Sequence, residues 1–393
     1  MRRLVPAVLG VLVGVGGYLA FGPTTIEPVA WQPPPPTPLE GPYALNERLS
    51  AVEWWAKGLV GPEAMTFDAQ GRLVTGLKDG RIVRLTPGSD DAVLVADTKG
   101  RPLAMAFHPD GRLIICDAHK GLLAMSEGGA LEVLSDSEGG VAFRFVDDLD
   151  IANDGTIYFS DASARHSIEG FVDDLMEHQA TGRLLKYEPA TKQTTKLADG
   201  FSFTNGVALG PDEAYLVVAE TGAYRLWRVW LTGEKRGQKE VFLDALPGFP
   251  DNVRYSKERR VFWVAIGSPR NPLVDRLADS PGLRKALSRP GMTRSSTTAA
   301  TSARRASKVR RPSSPLSASS TTPAHGASVR RSASRTSGSS SMMSTPRSVA
   351  ASSAPAGAEF ASPVVSGSCT VKVEPCPGAL VTKTAPRCAR TVP

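Results

Sequence analysis

Short apolar runs separated by tight polar turns dominate the chain between residues 61 and 270. Runs of this length, rich in β-branched and aromatic residues, predict β-strands. Five segments repeat the order strand, polar turn, strand, and their turns are separated by 40, 44, 58 and 46 residues. The segments are MTFDAQGRLVTG, MAFHPDGRLIIC, LDIANDGTIYFS, VALGPDEAYLVV and VRYSKERRVFWV, which begin at Met65, Met105, Leu149, Val207 and Val253. A repeat of this length with a hairpin in every unit is typical of the blades of a β-propeller, so we predict an all-β fold of that kind.

One position of the repeat carries oxygen-bearing side chains in four of the five units. Eight residues before the turns stand Glu63, Leu103, Asp147, Asn205 and Asp251. Because rotation relates the blades of a propeller, equivalent residues form a ring around its central channel. Carboxylates gathered in such a ring repel one another, and a Ca²⁺ ion, which prefers oxygen ligands, relieves that repulsion. The sequence therefore predicts a calcium site, with another divalent cation as the alternative and the capping of turns as the simpler interpretation.

The N-terminus contains an apolar segment, residues 4–21, that carries no charge and follows two arginines. This length is enough for a membrane-spanning helix, and a cleaved signal peptide is the alternative. The arginines favour the cytoplasmic side, so both interpretations place the body outside the cytoplasm. We predict a single-pass membrane anchor over residues 1–24, a stiff proline-rich linker over residues 25–45, and an extracytoplasmic propeller over residues 46–292.

The third interval of the repeat is longer because it contains the insertion SIEGFVDDLMEH, residues 167–178. Its apolar residues recur at helical spacing, which predicts an amphipathic helix. His166 directly precedes this helix. It is either a general base or substrate-steering group near the channel mouth, or a structural histidine that bonds a loop carbonyl.

The charge of the chain is concentrated in its tail. The formal net charge is +7, but residues 293–393 hold 14 Lys and Arg against two Asp and Glu, so the rest of the chain is acidic overall. We therefore expect no nucleic-acid partner for the propeller. Residues 293–350 contain 26 Ser and Thr and no acidic residue, a composition that predicts a disordered, low-complexity tail over residues 293–393. Among four cysteines only Cys116 lies in the patterned region, as a core thiol.

Several segments carry a family resemblance. RFVDDLDIANDGTIYFSDAS, TGRLLKYEPATKQTTKLADG, NGVALGPDEAYLVVAETGAYRLWRVWL and LPGFPDNVRYSKERRVFWVAIGSPRNPL resemble the strictosidine synthase-like proteins, within the gluconolactonase and paraoxonase group of six-bladed propellers. An anchored propeller of this kind is also similar to the adipocyte plasma membrane-associated proteins. The resemblance covers residues 62–286 and implies that the helix at 167–178 covers the channel mouth. It also implies a sixth blade, which is missing here, and we hypothesise that a shifted reading frame has replaced it.

The resemblance implies a function as well. In metal-binding members of the group a Glu, one or two Asn and an Asp hold the cation, and this pattern falls on Glu63, Asp147, Asn205 and Asp251, with Asn252 as a further ligand. It implies a Ca²⁺-dependent hydrolase of apolar esters or lactones, of the arylesterase or lactonase type, with Asp251, Asp147 or His166 as catalytic groups. The alternative is a non-catalytic propeller that binds a ligand or a protein partner around a structural cation. Strictosidine synthase activity is not expected, because the catalytic Glu that it requires in the last blade has no equivalent here.

Overall fold

The chain folds into a series of antiparallel β-sheets. The structure, a computed structural model, describes residues 10, 13–14, 16–19, 21–46, 56, 58–289 and 369–373. The first sheet contains β1 (Met65–Phe67), β2 (Leu73–Gly76), β3 (Arg81–Leu85) and β4 (Ala92–Asp97). The second contains β5 (Pro102–Phe107), β6 (Leu113–Asp117), β7 (Gly121–Met125) and β8 (Leu131–Ser135).

A small hairpin separates the second sheet from the third. It consists of β9 (Ser137–Glu138) and β10 (Val141–Ala142). The third sheet contains β11 (Val146–Ile151), β12 (Ile157–Asp161), β13 (Gly182–Glu188) and β14 (Gln193–Phe201). The fourth contains β15 (Thr204–Leu209), β16 (Tyr215–Glu220), β17 (Arg225–Trp230) and β18 (Lys239–Leu243). The fifth contains β19 (Gly248–Ser256), β20 (Val261–Pro269) and β21 (Cys369–Val373).

The first strand of each sheet lies innermost, beside the first strand of the next sheet. β1 packs against β5, β5 against β11, β11 against β15, and β15 against β19. The backbone N–H of Ala64 donates to the carbonyl of Leu103 at 3.0 Å and joins the first two sheets directly. The described part of the chain therefore forms an all-β, propeller-like fold of five sheets, which confirms the predicted class.

In the first four sheets burial decreases from the middle of the sheet toward its outer strand, and this gradient explains the sequence pattern. β6 and β16 are buried at every position because a sheet covers each of their faces. The outer strands β4 and β8 are largely exposed. The predicted hairpins coincide with the first two strands of each sheet, and the turn residues Gly71 and Gly111 have φ of 72° and 92°, a conformation that favours glycine.

Between residues 58 and 289, three short α-helices lie outside the sheets. The segment predicted as a helix forms a 3₁₀ turn, Ile168–Gly170, followed by α1 (Phe171–Glu177). After the fifth sheet come α2 (Pro272–Arg276) and α3 (Pro281–Leu287). α1 packs against α3.

The proline-rich segment is extended, but it is not a free spacer. We call residues 22–37 the strap. Ile26 of the strap is fully buried, the Trp31 N–H donates to the Ala278 carbonyl at 3.1 Å, and the Thr37 hydroxyl bonds the Ala245 carbonyl. The strap therefore belongs to the folded body, a difference from the expected linker that arises from contacts between distant residues.

The two ends of the chain are described only in part. The described positions of the N-terminal apolar segment are helical up to Phe21, and most of the predicted anchor, residues 1–24, falls among positions that are not described. Within the described residues, no helix combines the length and apolarity needed to cross a bilayer. In the tail, residues 369–373 form β21, which pairs antiparallel with β20. This strand differs from the disorder predicted for those five residues, and the rest of the tail lies outside the described residues.

Candidate functional site in the central channel

The innermost strands of four sheets each contain a β-bulge at the position that the repeat singled out. The pairing register shifts at Leu103 in β5, at residues 147–148 in β11, at residues 205–206 in β15 and at residues 251–252 in β19. A bulge interrupts the alternation of a strand and re-aims the side chains at that point. This local irregularity explains how acidic and amide side chains can stand within otherwise buried strands.

Three carboxylates from three different sheets approach one another at the channel. Burial and the Asp251 carboxylate raise the pKa of Glu63 to about 8. Burial raises the pKa of Asp251 to about 6, although a hydrogen bond from Asn205 opposes the rise. Asp147 is only 2% exposed, and burial with the charges of Glu63 and Asp251 raises its pKa well above the usual range. The structure thus brings Glu63, Asp147 and Asp251 together.

Asn205 joins this cluster and leaves one atom without a partner. Its side-chain amide donates to Asp251, whereas its buried Oδ1 has no hydrogen-bond partner among the described residues. Buried side-chain oxygens are normally hydrogen bonded. The neighbouring Gly206 allows the close approach of β19, since a Cβ on it would lie 2.5 Å from the Asp251 carbonyl oxygen. Asn205 therefore presents a free acceptor directly beside Asp251.

Asn252 follows Asp251 in the same bulge. Its backbone N–H donates to the Asp251 carboxylate and lowers the pKa of that group. The Asn252 side chain is half-buried, and no hydrogen bond from it is recorded within the described residues. Asn252 thus supports Asp251 through its backbone.

Arg101 supplies a positive charge to the cluster, and the repeat analysis did not reveal it. Its Nη2 donates to Glu63 Oε2 at 2.9 Å and its Nη1 to the Gly61 carbonyl at 2.7 Å. The Glu63 side chain keeps 31% of its accessible surface although protein atoms lie around it on most sides. This combination places Glu63 on the wall of the channel. The guanidinium opposes the rise in the pKa of Glu63 and of Asp147.

The two consecutive aspartates of β11 have different surroundings. Asp148 is fully buried and accepts two hydrogen bonds of 2.6 Å from the Arg254 guanidinium. It also accepts the Val207 N–H at 2.9 Å. Asp147 has no side-chain hydrogen bond in the part of the chain that the structure describes. Asp148 is therefore a structural carboxylate, and Asp147 is the one available to a ligand.

The side chains of the cluster are of the chemical type that binds a divalent cation, but they do not all converge on one point. Carboxylate and amide oxygens are the ligands that Ca²⁺ prefers. The unpartnered Asn205 Oδ1 and the mutual repulsion of the carboxylates are the features that a cation would relieve. Nevertheless, over the described ranges no group of three or more His, Cys, Asp or Glu side chains is close enough to hold a metal ion, and Glu63 is engaged by Arg101.

The helix α1 lies over this end of the channel. Ile168 and Leu175 pack on a buried apolar layer. The layer consists of Leu103, Ala118, Phe145, Ala162 and Phe203. Phe145 and Phe203 stand two positions before Asp147 and Asn205, so the layer lies immediately above the polar cluster. Phe203 has φ of 65°, a strained conformation for a bulky residue.

His166 lies beside α1. Its Nε2 is 2.7 Å from Glu177 Oε2, and its backbone N–H donates to Ser163 Oγ at 2.9 Å. Among the described residues, no contact between His166 and a channel carboxylate is recorded. His166 therefore anchors the C-terminal end of α1, which we call the lid helix, through Glu177. We give it no part in the chemistry proposed below.

Two family profiles and several known proteins match this chain. The strictosidine synthase family profile matches residues 147–234, and the profile of the strictosidine synthase-like N-terminal region matches residues 41–85. Protein STRICTOSIDINE SYNTHASE-LIKE 13 of Arabidopsis thaliana is 40% identical over 253 residues, which cover 57% of this chain and 62% of that protein. The adipocyte plasma membrane-associated protein of Rattus norvegicus is 34% identical over 292 residues, covering 69% of this chain and 77% of that protein.

The fold and these matches define a propeller-like protein of one family. The chain belongs to the strictosidine synthase-like family, and it is also similar to the adipocyte plasma membrane-associated proteins. It spans 62% of the length of that Arabidopsis protein and 63% of the length of protein STRICTOSIDINE SYNTHASE-LIKE 4 from the same plant, which is 34% identical. A gluconolactonase from Xanthomonas campestris is a similar solved structure, with a TM-score of 0.45 and 20% identity over 53% of this chain and 71% of that one. A calcium-binding regucalcin from Agrobacterium tumefaciens is another, with a TM-score of 0.44 and 20% identity over 54% of this chain and 69% of that one.

Proposed function

We propose that this chain is a hydrolase of apolar esters or lactones that works with a divalent cation, Ca²⁺ by preference, in its central channel. The observation that carries the proposal is the buried, unpartnered Asn205 Oδ1 beside Glu63, Asp147 and Asp251, whose burial, together with the Asp251 charge, raises the pKa of Glu63 and of Asp147. An enclosed polar cluster under an apolar lid is the usual form of a small-molecule site.

Glu63, Asp147, Asn205 and Asp251 would hold the cation, with Asn252 positioning Asp251 through its backbone. A bound cation polarises a carbonyl oxygen and stabilises the charge that develops on it. Asp147 adds a negative charge to this set of ligands, so we expect tighter cation binding and weaker activation of the carbonyl than a neutral Asn at that position would give.

The residues of the chain account for substrate placement and for proton transfer. Asp251 or Asp147 would take a proton from the attacking water or attack the carbonyl carbon directly. The apolar layer that includes Phe145 and Phe203 favours aryl or alkyl groups and excludes water. Arg101, on the wall beside Glu63, lies where it can offset negative charge in the substrate or in the product carboxylate.

The experiment uses the detergent-solubilised full chain and phenyl acetate as substrate. We expect hydrolysis that EDTA abolishes and Ca²⁺ restores, and calorimetric uptake of Ca²⁺ that Asp251→Asn weakens. Asp150→Asn is the matched control, because Asp150 lies on β11 as well but accepts the Leu209 N–H at 2.8 Å. Equal rates with and without EDTA would exclude the metal-dependent mechanism.

One observation favours a second candidate, a non-catalytic propeller with a structural cation. Glu63 is already paired with Arg101, and Asp251 already accepts a hydrogen bond from Asn205. The same Asp251→Asn variant separates the two candidates. Lost turnover at an unchanged melting temperature supports the enzyme, whereas a lower melting temperature without any measurable turnover supports the structural cation.

We also propose that residues 1–24 anchor the chain to a membrane, with the propeller on the extracytoplasmic side. The uncharged segment of residues 4–21 behind two arginines supports this orientation. Carbonate extraction of membranes from expressing cells tests the anchor, and protease treatment of intact cells tests the side. Release of the chain by carbonate would contradict an integral anchor.

A further inference from the structure

The strap runs along the C-terminal end of the lid helix α1 and bonds it through the backbone. The Val29 N–H donates to the Glu177 carbonyl at 2.9 Å. The Glu27 N–H donates to Glu177 Oε1 at 2.6 Å, and the Gln179 amide donates to the Glu27 carbonyl at 2.6 Å. The strap therefore satisfies the Glu177 carbonyl at the helix end, and it shares the Glu177 carboxylate with Arg165 and His166.

Aromatic stacking strengthens the same junction. The Trp31 ring lies 3.9 Å from the His178 ring at an angle of 12°, and His178 is the residue that ends α1. His178 is in the left-handed conformation, with φ of 57°. Trp31 therefore packs over the C-terminal end of α1.

On its other side the strap is fastened to the helical segment after the fifth sheet. Arg284 of α3 is 1% exposed, bonds the Val29 carbonyl, and donates to the Met176 carbonyl of α1 at 2.7 Å. Arg270 donates to the Pro34 carbonyl at 2.7 Å. The strap thus lies between the lid helix and α3, and it holds the end of the lid together with Arg284, Arg165 and His166.

The lid itself has a small apolar contact with the channel. Only Ile168 and Leu175 pack on the layer above the polar cluster, while Phe171 and Val172 are 46% and 50% exposed. A helix of seven residues has little stability of its own. Its position therefore depends on what holds its C-terminal end.

We infer that the strap is the latch of the channel: it holds α1 closed over the mouth, and displacement of the strap opens the lid. Because the strap directly follows the N-terminal apolar segment, the attachment of the N-terminus sets access to the channel. This coupling concerns access alone and holds whether or not the channel is catalytic.

The test is hydrogen–deuterium exchange of the lid amides, residues 168–178, in the full chain. Val29→Pro removes the N–H that bonds Glu177 and changes little packing, because Val29 is 43% exposed. We expect exchange in the lid to rise about fivefold, the effect of losing one hydrogen bond. Trp31→Ala removes the stacking on His178 and should raise it about tenfold. Buried β16 serves as the internal reference.

Ala30→Pro is the matched control, since no hydrogen bond from the Ala30 N–H is recorded in the described chain. It should leave exchange in the lid unchanged. A lid that stays protected in Val29→Pro while the strap exchanges faster would overturn the inference. If Trp31→Ala also accelerates exchange in β16, that variant has lost global stability, and Val29→Pro decides. The measurement needs no turnover, so failure of the latch and failure of the proposed hydrolase are separate results.

Discussion

Replacing Arg254 by Met tests how the channel is held together. Arg254 on β19 forms two hydrogen bonds of 2.6 Å with Asp148 on β11, so it connects the fifth sheet with the third. The carboxylate is fully buried, and its remaining partner from a neighbouring strand is the Val207 N–H. Burial opposes the charge of Arg254, yet the attraction of Asp148 raises the pKa of the guanidinium above its ordinary value. Arg254→Met leaves that carboxylate buried without a counter-charge.

Removing one partner of a buried ion pair costs about 3–5 kcal/mol. Arg254 keeps 33% of its side-chain surface, so we expect the lower end, about 3 kcal/mol, because water can still reach the pair. For a domain of this size that loss corresponds to a fall in Tm of about 6–12 °C. Asp148→Asn combined with Arg254→Met removes both charges and should recover at least half of the loss.

The assay is thermal and urea unfolding of the detergent-solubilised chain followed by circular dichroism. Arg81→Met is the matched control, because the Arg81–Asp79 pair is 49% and 55% exposed and should contribute less than about 1 kcal/mol. The reasoning is refuted if Arg254→Met loses no more stability than Arg81→Met, or if the double variant is no more stable than Arg254→Met alone.

Three further predictions concern the lid and the bulges. Burial raises the pKa of Asp174 to about 6, so the folded state binds this proton more tightly than the unfolded state. The free energy of unfolding should therefore fall as the pH rises from about 4 to 6. In urea melts Asp174→Asn should be more stable than wild type at pH 8, by up to about 3 kcal/mol, but not at pH 4. Burial lowers the pKa of His178 to about 3, so the stability that its neutral ring contributes is complete above about pH 6.5 and is lost in acid. Between pH 6.5 and 5 the unfolding free energy of wild type should fall by about 2 kcal/mol more than that of His178→Asn. An equal fall in the two proteins would contradict this. A Cβ on Gly206 would lie 2.4 Å from the Val253 nitrogen, so Gly206→Ala should lower the free energy of unfolding by about 1–3 kcal/mol and weaken Ca²⁺ uptake in calorimetry. Gly282→Ala is the control, because a Cβ there meets no atom within 4 Å, and it should not destabilise the fold.

The hairpins could be predicted from the sequence because their signals are local. Apolar runs on both sides of a glycine turn define two strands without reference to any distant residue. The outer strands of the first two sheets, β4 and β8, are largely exposed and carry a weaker pattern. A repeat of the first two strands was therefore sufficient to predict the propeller-like class.

A second repeated signal was present in the sequence and was missed. Asp117, Asp161 and Glu220 each end the second strand of a sheet, six or seven residues after the turn position. Each accepts a backbone N–H from the loop before the innermost strand of its own sheet, that of Arg101, Phe145 or Ser202, at 2.9, 2.9 and 2.7 Å. These bonds fix the entry of the chain into the bulge, and the acidic residue at this phase would have revealed them.

The rest of the site depends on contacts that no local pattern encodes. Asp147 and Asp148 are identical in sequence terms, and only the partner Arg254, 106 residues away, distinguishes them. Arg101 escaped notice because it stands two positions before the apolar Leu103 of its unit. The strap was misjudged for a similar reason, since proline favours extended chain whether that chain is free or packed.

The equivalent positions of the repeat bear on the hypothesis of a replaced sixth blade. The residue that opens the innermost hairpin is 37% exposed in the first sheet, at Met65, but 4% at Met105 and 2% at Leu149 in the next two sheets. In a closed ring these positions would be covered alike, because each blade packs between two neighbours. The first sheet is joined to the second through Ala64 and Leu103, so its uncovered side faces away from the second sheet. An additional sheet against that side should bury Met65, and restoring the reading frame after codon 290 should therefore reduce its oxidation by peroxide to the low level expected of Met105. Equal oxidation of Met65 in both chains would contradict the hypothesis of a replaced blade.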